Sequence, residues 1–131
     1  MAVSIKVAGI KQTLNNVEKE YTEIINSLQR AAVIAAVSEL KLTTPVDTGR
    51  ARGSWAFNKT GAKQDAGVSA VIEAGILGPI PNNKIETLYI TNGTPYIKDL
   101  NAGSSIQAPP RFVEKTLSRY FKVTSNSIRY S

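Results

Sequence analysis

The chain has 131 residues, 42% of them hydrophobic and 20% charged, a formal net charge of +6, and neither cysteine nor histidine. Such a composition suits one ordinary globular domain spanning 1–131. It excludes disulfides and thiol chemistry, and it removes the commonest general base and the commonest metal ligand together. No apolar run approaches the ~20 residues that span a bilayer, so no membrane partner is expected. The opening residues Met1-Ala2-Val3-Ser4-Ile5-Lys6 lack the basic-then-apolar pattern of a signal peptide.

Val3, Ile5 and Val7 alternate with Ser4 and Lys6, the period of a short strand. After Gly9, apolar or small residues recur at Ile10, Leu14, Val17, Tyr21, Ile24, Leu28, Ala31 and Ala35, in steps of four and three. That spacing predicts a helix from Ile10 to about Thr43, with a single stripe along it. Its first half has polar flanks, whereas residues 31–37 are apolar on all sides and call for burial by the same domain or by a neighbouring copy. A coiled coil is an alternative, but losing the polar faces after residue 30 argues against an isolated one.

Pro45 ends this helix, because it disfavours helical geometry at Thr44 and removes a backbone donor. Asp47, Thr48 and Gly49 suit a tight turn, with Pro45, Asp47 and Gly49 as its structural residues. Asp47 is read as a turn former or as a partner for Arg50 or Arg52. The two arginines form a rigid corner before Trp55, the only tryptophan. They await either an ion pair or a neighbouring subunit's carboxylates.

Gly53 to Phe57 reads as a strand, with Trp55 and Phe57 on one core face. Residues 58–67 (NKTGAKQDAG) read as a mobile loop, and Val68 to Ala74 as a second strand. Residues 75–84, with Gly78-Pro79-Ile80-Pro81, are irregular. Thr87 to Thr91 is a third strand with Leu88 and Ile90 inward, and Thr94-Pro95-Tyr96 leads into a short helix with Ile97 and Leu100 inward. Tyr89 and Tyr96 either close the core or lie at an interface. Pro109 and Pro110 open a C-terminal helix whose apolar side is Phe112, Val113, Thr116, Leu117, Tyr120 and Phe121, with Arg111, Lys115, Arg119 and Lys122 opposite. Residues 125–131 are expected to be frayed or used in a contact. The fold class is α+β: a long N-terminal and a C-terminal helix packed on a small, mostly antiparallel sheet.

The block Pro45-Val46-Asp47-Thr48-Gly49-Arg50-Ala51-Arg52-Gly53-Ser54-Trp55 resembles the signature of the tail-completion (neck) proteins of long-tailed bacteriophages. Later elements of that family match in order at Asn92-Gly93-Thr94-Pro95-Tyr96, Gly103-Ser104-Ser105 and Gln107-Ala108-Pro109, so the likeness covers residues 10 to 121. Two features depart from it. Leu100-Asn101 stands where a Leu-Glu pair is common, and residues 58–84 follow no family pattern. The resemblance implies a virion protein made in the bacterial host cytoplasm. It would complete the tail and join it to the head as an oligomeric, hexameric ring with other neck and tail proteins as partners.

The residues themselves argue for binding rather than catalysis. Asp47, Asp65, Glu73, Glu86 and Asp99 are dispersed, and no phosphate-cradling or alternating acidic loop exists. The expectation is therefore no enzyme, no cofactor, no metal and no small-molecule substrate. Residues 48–131 carry eleven basic and five acidic side chains, against five of each before them, so an acidic partner is indicated unless this is simply a solvated face. Interface candidates are Arg50, Arg52, Lys59, Lys63, Asn82, Lys84, Arg111 and Arg119, and non-specific contact with DNA in a ring lumen is a further expectation. The alternatives are a tail-terminator or head-closure protein of the same neck, or a basic nucleic-acid-binding module.

Overall fold

Alternation of side chains organises the sheet from its first strand. Val3, Ile5 and Val7 are buried and Lys6 is exposed, which makes Val3–Val7 strand β1. The computed structural model describes residues 2–7, 19–45, 50–61, 63, 77–103, 110–123 and 127–130. Its other strands are β2 (Trp55–Asn58), β3 (Leu88–Asn92) and β4 (Ile128–Tyr130). All pairings are antiparallel, in the order β2-β3-β1-β4. The helices are α1 (Lys19–Thr43), α2 (Arg50–Gly53), α3 (Ile97–Asn101) and α4 (Phe112–Leu117). The architecture is α+β, as expected.

Register explains the core. Ile5 pairs with Ile90 and with Ile128, and Ile90 pairs in turn with Phe57, so one apolar row crosses all four strands. The next row holds Trp55, Asn92, Val3 and Tyr130. Val33, Ala36, Val37 and Leu40 of α1, together with Ile97, Phe112, Val113 and Leu117, cover these rows. Each of these side chains is almost wholly withdrawn from water, which stabilises the fold by roughly 1.5–3 kcal/mol per large residue.

Helix α1 has a buried side and an exposed one. The buried side runs Thr22, Asn26, Gln29, Arg30, Val33, Ala36, Val37 and Leu40, polar in its first half and apolar in its second. The stripe legible in the sequence lies on the opposite side: Tyr21, Ile24 and Leu28 are 56–57% exposed, and Ala31 is also exposed. Within residues 31–37, only Val33, Ala36 and Val37 are buried, so the domain itself covers one side of that segment.

Several boundaries differ from the sequence reading. The segment Arg50–Gly53 is a helical turn rather than a strand entry, and β2 begins at Trp55. The C-terminal helix starts at Phe112, because Arg111 takes a left-handed conformation (φ 61°) and joins the turn before it. Residues 128–130 are not frayed: they pair with β1, and Lys6 N–H also donates to the Ser127 carbonyl (3.1 Å). Pairing with an existing strand outweighs the polar composition of that tail. Residues 10–18, the second strand at 68–74 and half of the loop 58–67 (62 and 64–67) lie outside the described residues.

The face assignment of α1 is testable by truncation. Leu40→Ala should cost about 2–5 kcal/mol in urea unfolding. Ser38→Ala, on the exposed side, should stay within about 0.5 kcal/mol. Equal losses would contradict the packing described here.

Candidate interaction surface

The corner between α1 and β2 is built from hydrogen bonds that close the end of a helix. Thr44 is fully buried; its Oγ1 donates to the Leu40 carbonyl (2.6 Å) and accepts from Trp55 Nε1 (2.7 Å). Arg52 donates through Nε and Nη2 to the Thr44 carbonyl (3.2 and 3.1 Å) and through Nη2 to Leu42 (3.1 Å). A cation on the last carbonyls of a helix satisfies acceptors that the helix leaves open and complements its dipole. Arg52 is thus turned in, engaged with the backbone carbonyls that end α1. Arg50 is the exposed member of the pair, its guanidinium 5.5 Å from the centre of the Tyr96 ring.

Two distant sequence blocks meet at this corner. Asn92 is fully buried; its Nδ2 donates to the Ala51 carbonyl (2.7 Å), and its Oδ1 accepts from the Thr94 N–H (3.0 Å) and hydroxyl. Asn92 also pairs with Trp55 across the sheet. The Asn92–Tyr96 segment is therefore fastened to the Arg50–Trp55 segment by backbone, amide and ring contacts. Pro45 is buried beside them, while Asp47 and Gly49 lie outside the described residues.

A second buried polar assembly ties α1 to the segment 77–86. Arg30 and Glu86 form a two-point ion pair, Nε to Oε2 at 2.6 Å and Nη2 to Oε1 at 2.9 Å. The same guanidinium donates to the carbonyls of Gly78 (2.7 Å), Leu77 (3.1 Å) and Pro79 (3.2 Å). Asn26 donates to the Pro81 and Lys84 carbonyls (3.0 Å each) and accepts from the Glu86 N–H (3.1 Å); Gln29 donates to the Glu86 carbonyl (2.8 Å). An irregular segment cannot pair its own backbone, so α1 supplies the donors and acceptors. Lys59 Nζ stands 3.9 Å from Glu86 Oε1 at the rim. None of this was read from the sequence. The available signal was Arg30 itself, a charge on the row that continues through Val33, Val37 and Leu40.

A third polar centre sits below α4. Asn101 Oδ1 accepts the Val113 N–H (2.9 Å), capping the helix, and its Nδ2 donates to Glu114 (2.5 Å) and to Tyr130 Oη (2.8 Å). Burial raises the Tyr130 pKa, opposed by the Asn101 hydrogen bond. Gly103 lies at φ +99°, where a Cβ would meet Pro110 Cγ at 2.8 Å, so this turn accepts only glycine without rearrangement. An open cavity of about 630 Å³ lies alongside, with Arg111, Glu114, Lys115, Val123, Ile128 and Tyr130 in its lining.

The remaining candidates are spread over the surface and converge on no single site. Lys63, Asn82 and Lys84 are exposed. Arg111 pairs with Glu114 (3.0 Å) and Arg119 with Glu39. Among the described residues, no three acidic side chains are grouped closely enough to hold a metal ion, and no helix is long and apolar enough to cross a membrane.

The two buried assemblies make different predictions. Arg30→Met should destabilise by about 3–5 kcal/mol, because it leaves the Glu86 carboxylate buried without its counter-charge. Adding Glu86→Leu should recover part of that loss in a denaturation double-mutant cycle, whereas strict additivity would deny the coupling. Thr44→Val strands the Trp55 indole N–H and should cost about 1–3 kcal/mol, with a change in tryptophan fluorescence. Comparison with protein-family models, with curated proteins and with solved structures finds no match for this chain.

Proposed function

We propose that this chain is a structural virion protein of the phage neck. It completes the tail and joins it to the head as one subunit of an oligomeric ring, acting by binding alone. The observation that carries this reading is the convergence of the resembling blocks. Arg50–Trp55 and Asn92–Tyr96 lie about forty residues apart in sequence, yet they are fastened together through Asn92, Ala51, Arg50 and Tyr96. Residues that share one structural task are expected to recur together in a family signature. Gly103, at the next matching block, likewise holds a turn.

In this reading the wall of the ring is the sheet with α1 and α4, and contacts are made by exposed side chains around it. Arg50, Lys59, Lys63, Asn82, Lys84, Arg111 and Arg119 are accessible for that purpose. A cellular nucleic-acid-binding module is the second reading, supported by Lys98, Arg111, Lys115, Arg119, Lys122 and Arg129, all exposed on the C-terminal half. Terminator and head-closure proteins of the same neck share the first reading's physical basis.

Disrupting the gene in its parent phage and imaging lysates by negative-stain electron microscopy separates these readings. DNA-filled heads lying apart from finished tails are the expected result. Overlong tails would assign a terminator, and empty heads a head-closure protein. Normal infectious particles would overturn the neck reading and leave salt-sensitive DNA binding as the measurement to make.

A further inference from the structure

The outer side of α1 is apolar and uncovered. Tyr21, Ile24 and Leu28 are 56%, 56% and 57% exposed, and Leu42 is 74% exposed. With Ala31, Ala35 and Ser38 they occupy helix positions spaced three and four apart from 21 to 42, the period of a coiled-coil seam. The positions that face the sheet, including Asn26, Val33 and Leu40, lie opposite this seam, so the domain's own packing leaves it free. We infer that a second copy of this chain covers it, with the two α1 helices running antiparallel.

Shape selects this occupant. The seam is bulky in its first half (Tyr21, Ile24, Leu28) and small in its second (Ala31, Ala35, Ser38). An antiparallel copy sets Leu28 against Ala31, Ile24 against Ala35 and Tyr21 against Ser38, large against small in each of these three layers. A parallel copy stacks large on large and leaves gaps between the alanines.

A twofold contact closes on itself. The pair therefore stands independently of the neck reading, and ring contacts in a particle would use other faces. The chain has no cysteine, so introduced thiols report the register without background. In light scattering after size exclusion, the wild-type protein should show twice its 14.1 kDa mass, and Leu28→Glu should return it to 14.1 kDa with unchanged circular dichroism. Ile24→Cys with Ala35→Cys should give a covalent dimer on oxidation. Either substitution alone should not, since like positions then sit eleven residues, or ~16 Å, apart along the helices. A wild-type monomer at every concentration, an assembly indifferent to Leu28→Glu, or a covalent dimer from Ile24→Cys alone would each overturn the inference. None of these outcomes bears on particle morphology.

Discussion

The two-point bond between Arg30 and Glu86 is the constraint on which much else depends. Residues 77–87 include Gly78-Pro79-Ile80-Pro81 and have no regular backbone pairing, yet they must deliver β3 into the sheet at Leu88. Arg30, Asn26 and Gln29 hold this segment by its carbonyls, and Glu86 neutralises the charge that does so. Without the carboxylate the guanidinium would sit almost fully buried and unpaired; without the guanidinium three carbonyls would lose their donor. A polar device inside the core thus determines where β3 begins, and β3 pairs with both β1 and β2.

The corner after α1 works by the same logic with neutral groups. Trp55 donates to Thr44 and Asn92 donates to the Ala51 carbonyl, all three side chains at full burial, and Arg52 closes the end of the helix. Because each group is satisfied by a residue from another element, helix, turn and sheet are positioned jointly. That leaves Arg50 and Tyr96 as the part of the corner that solvent reaches, a cation set against a ring at the edge of the sheet.

The buried polar groups hold elements of the fold together, and the exposed surface is of two kinds. Exposed cations crowd the C-terminal half, and the outer stripe of α1 is apolar. These two surfaces favour different contacts: one long-range and salt-sensitive, the other short-range and dependent on shape.

By itself the sequence determined the α+β class, the end of α1, the burial of Trp55, Phe57, Leu88 and Ile90, and the irregularity of 77–84. These follow from local rules: apolar period, proline geometry and turn chemistry act within a few residues. Only the tertiary structure decided which side of α1 faces the sheet. Both sides carry apolar residues at helical spacing, and Arg30 occupies the inner row, where a sequence pattern assigns it to solvent. It also decided that Ile128–Tyr130 pairs with β1, that Arg52 turns inward while Arg50 stays exposed, and that Asn101 caps α4. Each of these rests on a partner far away along the chain, and a buried polar group takes its meaning from that partner.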